Sequence, residues 1–227
     1  MAVTLSSVVP WGRTLSEYML MFDLSEGDLN SRILGCGDGP ASFNCEMTRL
    51  GRRVISVDPI YALSRKEIEH RVSETYDTIV SQCQQSIGNF VWSFFSDPEA
   101  MGRHRLGAMR VFLEDFDQGL AQGRYLVQEL PGLDFATGEF DLALCSHLLF
   151  LYTEQLSLEF HLAAIREMSR VAREVRIFPL LDLKVKPSAH LEPLAGQLRH
   201  EGLIVEIVKV PYEFQRGGDK MMRIRSG

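Results

Sequence analysis

Arg32-Ile33-Leu34 runs straight into Gly35-Cys36-Gly37-Asp38-Gly39, so three glycines stand at alternate positions directly after an apolar stretch. Glycine takes positive φ at no steric cost and lets backbone or ligand approach where a Cβ would clash. The segment that follows carries Phe43, Met47 and Leu50 at helical offsets, with Pro40 expected at the first helical position and Gly51 at the stop. Val54-Ile55-Ser56-Val57 then reads as a buried strand closed by Asp58 and Pro59. Strand, glycine turn, helix and strand make a βαβ unit, which places its two strands parallel.

The alternation resumes after residue 123. Tyr125–Leu130 and Phe140–Ser146 read as strands, and the second is apolar enough to be buried on both faces. Ser157 caps a helix with Leu158, Leu162, Ile165 and Ala172 on one stripe. Glu159 lies in its first turn, and Arg166, Arg170 and Arg173 lie in later ones, as the helix dipole prefers. Glu174–Leu181 is a further strand and His190–His200 a helix closed by Gly202. Leu203–Val210 and Lys220–Arg225 follow with no helix between them, and Gly217-Gly218 mark the expected turn. The expected fold class is α/β: a seven-stranded, mostly parallel sheet with helices on both faces, an antiparallel C-terminal hairpin and a helical insertion after the second strand.

At 227 residues the chain is expected to be a single domain. Residues 1–31 read as an N-terminal cap whose helix starts at Thr14 or Ser16, carries Tyr18, Met21 and Phe22 on one face, and ends at Glu26-Gly27-Asp28. Residues 61–123 are too long for a plain crossover. Helical composition over 64–75 and 98–119, with Phe90, Trp92, Phe94 and Phe95 between, predicts an inserted helical lid.

A net charge of -6 and a pI near 5.6 argue against a nucleic-acid binder, whose affinity rests on neutralising phosphates. The local basic groups Arg103, Arg105 and Arg110, and Lys220, Arg223 and Arg225, read as a solvated face and an edge strand. Cys36, Cys45, Cys83 and Cys145 form no CxxC pair and have no histidine at metal-ligand spacing, so no metal site is expected and a reducing compartment fits. No signal peptide and no membrane span is legible. The expected location is the cytoplasm.

A glycine turn at a helix N-terminus aims free N–H groups at a ligand above the sheet. Asp58, an acid about 20 residues further on, suits the two hydroxyls of a ribose. The G-x-G-x-x-G/A fingerprint of dinucleotide binders does not match, because its last position falls on Pro40 or Ser42, and no Gly-Lys-Ser/Thr of a P-loop is present.

Ile33-Leu34-Gly35-Cys36-Gly37-Asp38-Gly39, with Asp58 ending the second strand, resembles the class I S-adenosylmethionine-dependent methyltransferases. Gln128-Glu129-Leu130, Leu133-Asp134-Phe135 and Phe140-Asp141-Leu142 are similar to their third and fourth motifs. The resemblance covers roughly residues 30–60 and 124–227. It implies S-adenosylmethionine held by Gly35, Cys36, Gly37, Gly39, Asp58 and Pro59, with Glu129 and Leu130 at adenine and Ser146 under the methionine half. Tyr18 and Phe22 of the N-terminal helix would lie over the cofactor, and the acceptor would be a small molecule. The chain departs from the family at Ile33, where many members carry an acid.

Each of these residues also has a structural reading: the glycines as a tight turn, Asp58 as a strand end, Tyr18 and Phe22 as core. His147, Asp182 and His190 are the titratable candidates near the strand ends, and none is assigned a catalytic role. Three uses of the fold stay open at this level: methyl transfer, cofactor binding without catalysis, and nucleotide-dependent oxidoreduction.

Overall fold

The computed structural model describes residues 9–227; of the N-terminal cap, residues 1–8 lie outside the described residues. Seven strands form one sheet in the order β3-β2-β1-β4-β5-β7-β6. The strands are β1 (Ile33–Cys36), β2 (Val54–Val57), β3 (Tyr125–Leu126), β4 (Phe140–Ser146), β5 (Ala172–Phe178), β6 (Leu203–Lys209) and β7 (Lys220–Ser226). The first five are parallel, and β7 runs antiparallel to both β5 and β6. The α/β fold read from the sequence is therefore present, with its hairpin. β7, however, sits inside the sheet and β6 forms the edge. Arg223 and Arg225 pair with Glu206 across the hairpin instead of decorating an edge.

The hairpin loop runs from Val210 to Asp219, whose backbones bond to each other, so Gly217-Gly218 are only its last corner. The loop has to be long, because it carries Tyr212 and Phe214 back over the end of the sheet into two hydrophobic clusters.

Successive residues of a strand face opposite sides, and here both sides are covered. Leu34, Cys36, Ala143, Cys145 and Val175 pack under α6 (Leu158–Val171) and α7 (Leu191–His200). Ile33, Val54, Leu142 and Leu144 pack under α1 (Leu15–Met21) and α3 (Phe43–Arg49).

Caps define the helix starts. Thr14 and Glu17 form a reciprocal capping box on α1, Ser25 and Asp28 on α2 (Glu26–Leu29), and Ser64 and Glu67 on α4 (Arg65–Gln85). Asp97 caps α5 (Pro98–Ala121), and Ser157 caps α6.

Several sequence boundaries move for physical reasons. Glu26-Gly27-Asp28 does not end the first helix; Ser25 starts a new one there. The second helix is tied down by Arg176 of β5, which donates to the Phe22 carbonyl and pairs with Asp28 at 3.1 Å. Pro40 is not at the first helical position: Ser42 is the N-cap of α3, and Leu50 is 61% exposed at its far end. Ala172 and Arg173 belong to β5, because α6 passes into that strand with no loop. β3 covers only two residues of the run expected over 125–130.

The segment from 61 to 123 contains two long helices. The C-terminal half of α5 does the work of an ordinary crossover, packing Phe112 and Phe116 against Tyr61 and Tyr125. α4 and the linker that follows it form the excess. Phe90 and Phe95 there pack with Ile79, Cys83 and Met101, and Phe214 of the hairpin loop closes against them.

Arg105, read from sequence as part of a solvated face, is instead 1% exposed and paired with Glu17, which is wholly buried, at 2.5 Å. Tyr212 donates to the same carboxylate at 2.8 Å. Burial by itself raises a carboxyl pKa, but the Arg105 charge, with hydrogen bonds from His104 and Tyr212, overrides it and holds Glu17 at about 2.

A carboxyl lowered from 4.5 stabilises the fold above about pH 4.5, and that contribution is lost as pH falls through about 2. Glu17→Gln is therefore expected to cost about 3–5 kcal/mol at pH 7, because Arg105 is left buried without its counter-charge. In urea titrations the gap to the wild type should narrow as pH falls from 4.5 towards 2; a gap independent of pH would refute this role.

Candidate functional site

Order reverses beside β1, whose neighbours are β2 and β4, and ligands of open α/β sheets bind at such a switch point beyond the strand C-termini. A cleft of about 660 Å³ opens there, within the range of small-molecule and cofactor sites. Tyr18, Gly37, Gly39, Asp58, Pro59, Glu129, Leu130 and Ser146, eight of the residues expected from sequence, line it. Gly35, Cys36 and Phe22 do not. Cys36 is buried inside β1, and Phe22 is core, its ring packing against Tyr18 and Phe178.

The loop geometry requires two of the glycines for different reasons. Gly37 adopts φ +66° with the Leu148 side chain against it; a Cβ there would come within 2.6 Å of Leu148. Gly35 makes room for a side chain, since a Cβ would lie 1.8 Å from an Asp38 carboxylate oxygen. Asp38 folds back over the strand, accepting from the Tyr18 phenol at 2.7 Å and from the Ser56 hydroxyl at 2.6 Å, and it lines the cleft. The sequence reading missed this residue. Its one signal was an acid placed inside the glycine turn itself.

Asp58 ties the turn to the end of β2. One carboxylate oxygen accepts the Gly39 N–H and the other the Ile60 N–H, both at 2.8 Å, while the Tyr61 hydroxyl donates to the Gly39 carbonyl. A carboxylate has about four lone-pair sites, so two remain for a ligand in the cleft. Burial raises the pKa of Asp58 against the effect of those two N–H groups. Glu129 is exposed at the rim of the cleft, and Leu130 is a buried part of its wall.

His147 follows Ser146 at the end of β4 in a left-handed conformation, φ +53°. Its N–H bonds to the Phe178 carbonyl, and its Nδ1 lies 2.9 Å from the Ser146 hydroxyl. Burial, then the charges of Arg13 and Arg105, push the imidazole well below its ordinary pKa, so it is neutral at physiological pH. Asp182 and His190 do not line this cleft. Asp182 closes a turn by accepting from the Lys184 and Lys186 N–H groups, and His190 bonds to the Leu156 carbonyl. Among the described residues, no group of three or more His, Cys, Asp or Glu is placed to hold a metal ion.

With this geometry in view, comparison with known proteins gives one decisive match. The chain is 32% identical over 224 residues, 98% of each chain, to the uncharacterized protein MJ0045 of Methanocaldococcus jannaschii. It belongs to the MJ0045 family. No model of a protein family matches it.

Two solved structures are similar to this member of the family at low identity. Magnesium protoporphyrin IX methyltransferase ChlM of Synechocystis PCC 6803, crystallised with bound SAM, is 14% identical, covering 94% of this chain and 78% of that one, with a TM-score of 0.46. A putative RNA methyltransferase, PH1948 of Pyrococcus horikoshii, is 13% identical over 93% and 83%, also at 0.46. The fold assignment rests on the strand order itself. Among the described residues, no helix is long and apolar enough to cross a membrane.

Burial raises Asp38 to about 6, despite the hydrogen bonds from Ser56 and Tyr18. A carboxyl raised from 3.8 favours the fold most below about pH 3.8, and that contribution disappears as pH climbs through about 6. Relative to Asp38→Asn, the wild type should therefore lose roughly 3 kcal/mol between pH 4 and pH 7, at 1.4 kcal/mol per pKa unit. Parallel denaturant curves for the two proteins check this; curves that keep the same separation across the range would contradict a buried, raised Asp38.

Proposed function

We propose that the protein is an S-adenosylmethionine-dependent methyltransferase acting on a small-molecule acceptor. The observation that carries this reading is the shared cleft: Asp58, Gly37 and Gly39 meet on one wall of a cavity large enough for a nucleoside-containing cofactor. The fit is chemical as well as spatial. Asp58 keeps lone pairs for the ribose hydroxyls, Leu130 offers an apolar wall and Glu129 an acceptor for adenine, and Pro59 borders the same face. Asp38, largely ionised at neutral pH, suits a cofactor that carries both an ammonium and a sulfonium cation. Ser146 and Tyr18 line the cleft on the side of β4 and α1.

The bound cofactor supplies an electrophilic methyl group on a sulfonium whose departure leaves a neutral thioether. The protein's part is orientation and exclusion of water. The strap at residues 9–13 and α4 of the inserted helices, which we read as the lid, border the cleft through Trp11 and Arg71. His147 is neutral, and in the tautomer whose Nδ1–H donates to Ser146 its Nε2 would be a proton acceptor for a protonated nucleophile.

Calorimetric titration with S-adenosylmethionine tests the reading. The wild type should bind, and Asp58→Ala should weaken binding at least about tenfold through loss of a charge-assisted hydrogen-bond acceptor. Incubation with small-molecule extracts should then release S-adenosylhomocysteine. No measurable binding, or identical binding by the Asp58 variant, would remove the basis for the proposal.

A further inference from the structure

Next to the cofactor cleft lies a second, smaller cavity of about 100 Å³. The two are continuous: Val9, Trp11, Arg13 and His147 line both. The rest of the small cavity is mainly apolar, with Ile79 and Cys83 from α4, Met101 from α5, and Phe90 and Phe214 closing over it. It has about two-thirds the volume of the engineered apolar cavity, about 150 Å³, that accommodates benzene, and it adjoins the larger cleft.

The charge at the junction is unbalanced. Arg13 and Arg105 both face this cavity, and Glu17 is the buried carboxylate beside them. Glu17 is committed to Arg105, with Tyr212 and His104 completing its contacts. Among the described residues Arg13 makes no ion pair. One guanidinium nitrogen donates to the Trp11 carbonyl at 2.9 Å, and its buried Nε has no hydrogen-bond partner at all. Burial and the neighbouring Arg105 charge lower Arg13 to about 10, which still leaves it a cation at neutral pH. Arg13 as a whole is half-buried, with its Nε out of water; a partly desolvated cation without a bound counter-charge is costly, and an anion of fitting shape reduces that cost.

The geometry points to this small cavity as the acceptor pocket, selecting an apolar compound about one ring in size that carries an anionic oxygen group, which Arg13 neutralises. This rests on the methyltransferase reading of the larger cleft and narrows the substrate class within it. His147 and Arg13 both line the two cavities, so a group held at Arg13 sits at their junction.

Binding measured by calorimetry, with benzoate, benzamide and S-adenosylhomocysteine as probes, separates the two claims. Benzoate should bind the wild type, and Arg13→Gln should weaken it about tenfold or more, the scale of one charge-assisted bond. S-adenosylhomocysteine affinity should change less than about threefold in the same variant, Arg13→Lys should recover much of the benzoate binding, and neutral benzamide should not respond to either change. Thermal melts of the variants confirm that they are folded.

The inference is overturned if the wild type binds S-adenosylhomocysteine but does not prefer benzoate to benzamide. It is equally overturned if Arg13→Gln loses S-adenosylhomocysteine and keeps benzoate, which would assign Arg13 to the cofactor's own carboxylate. Arg13-dependent benzoate binding by a protein with no affinity for S-adenosylhomocysteine would support the anion site and sink the methyltransferase reading.

Discussion

A single buried carboxylate holds three distant parts of the chain against one another. Glu17 belongs to the N-terminal helix, Arg105 to the longest helix of the inserted region, and Tyr212 to the loop of the C-terminal hairpin. All three side chains are almost completely out of water. Desolvating two ions is repaid only when their remaining hydrogen-bonding positions are filled. Here the Tyr212 hydroxyl and His104 fill those on the carboxylate side. This arrangement helps hold the walls of both cavities, together with the cluster in which Val9 and Trp11 of the strap, Ile79 and Met101 of the inserted helices and Phe214 of the hairpin loop pack with Phe90. The network also explains why Arg13, a few residues away, makes no ion pair among the described residues: the nearby negative charge is already used.

The cleft is organised by two carboxylates with different tasks. Asp58 is held by backbone N–H groups from the glycine turn and from the start of the next segment, so its position is set by main chain. Asp38 is held by side chains, a phenol from the N-terminal helix and a hydroxyl from the second strand. The first joins the turn to the sheet; the second joins the cap to the turn. The glycine at the end of the first strand serves the second arrangement, because only a missing Cβ leaves space for the Asp38 carboxylate.

Much of this was legible in the chain, and the failures are informative. Thr14, Ser64, Asp97 and Ser157 start helices because a capping side chain acts over three residues. Gly51 and Gly202, both with positive φ, stop them for an equally local reason. Asp58 could be picked out by its distance from the glycine turn alone. Arg105 could not: on a helix its neighbours Arg103 and Arg110 are exposed, and nothing nearby in sequence marks it as the inward-facing one. Its partner lies 88 residues away. Arg13 carried no signal either, since what distinguishes it is the lack of a counter-charge.

The sequence by itself determined the strands and helices, the sharp turn after the first strand and the acid that faces it, because periodicity, capping and glycine conformation act within a few residues. Tertiary structure alone decided that the last strand would slot between its predecessors, that Phe22 would turn into the core while Tyr18 reached the cleft, and which arginine would be neutralised. Those outcomes depend on contacts between segments far apart in the chain, as between Tyr212 and Glu17, 195 residues apart. Charge balance in a buried space is a property of the assembled neighbourhood, and no stretch of sequence contains it.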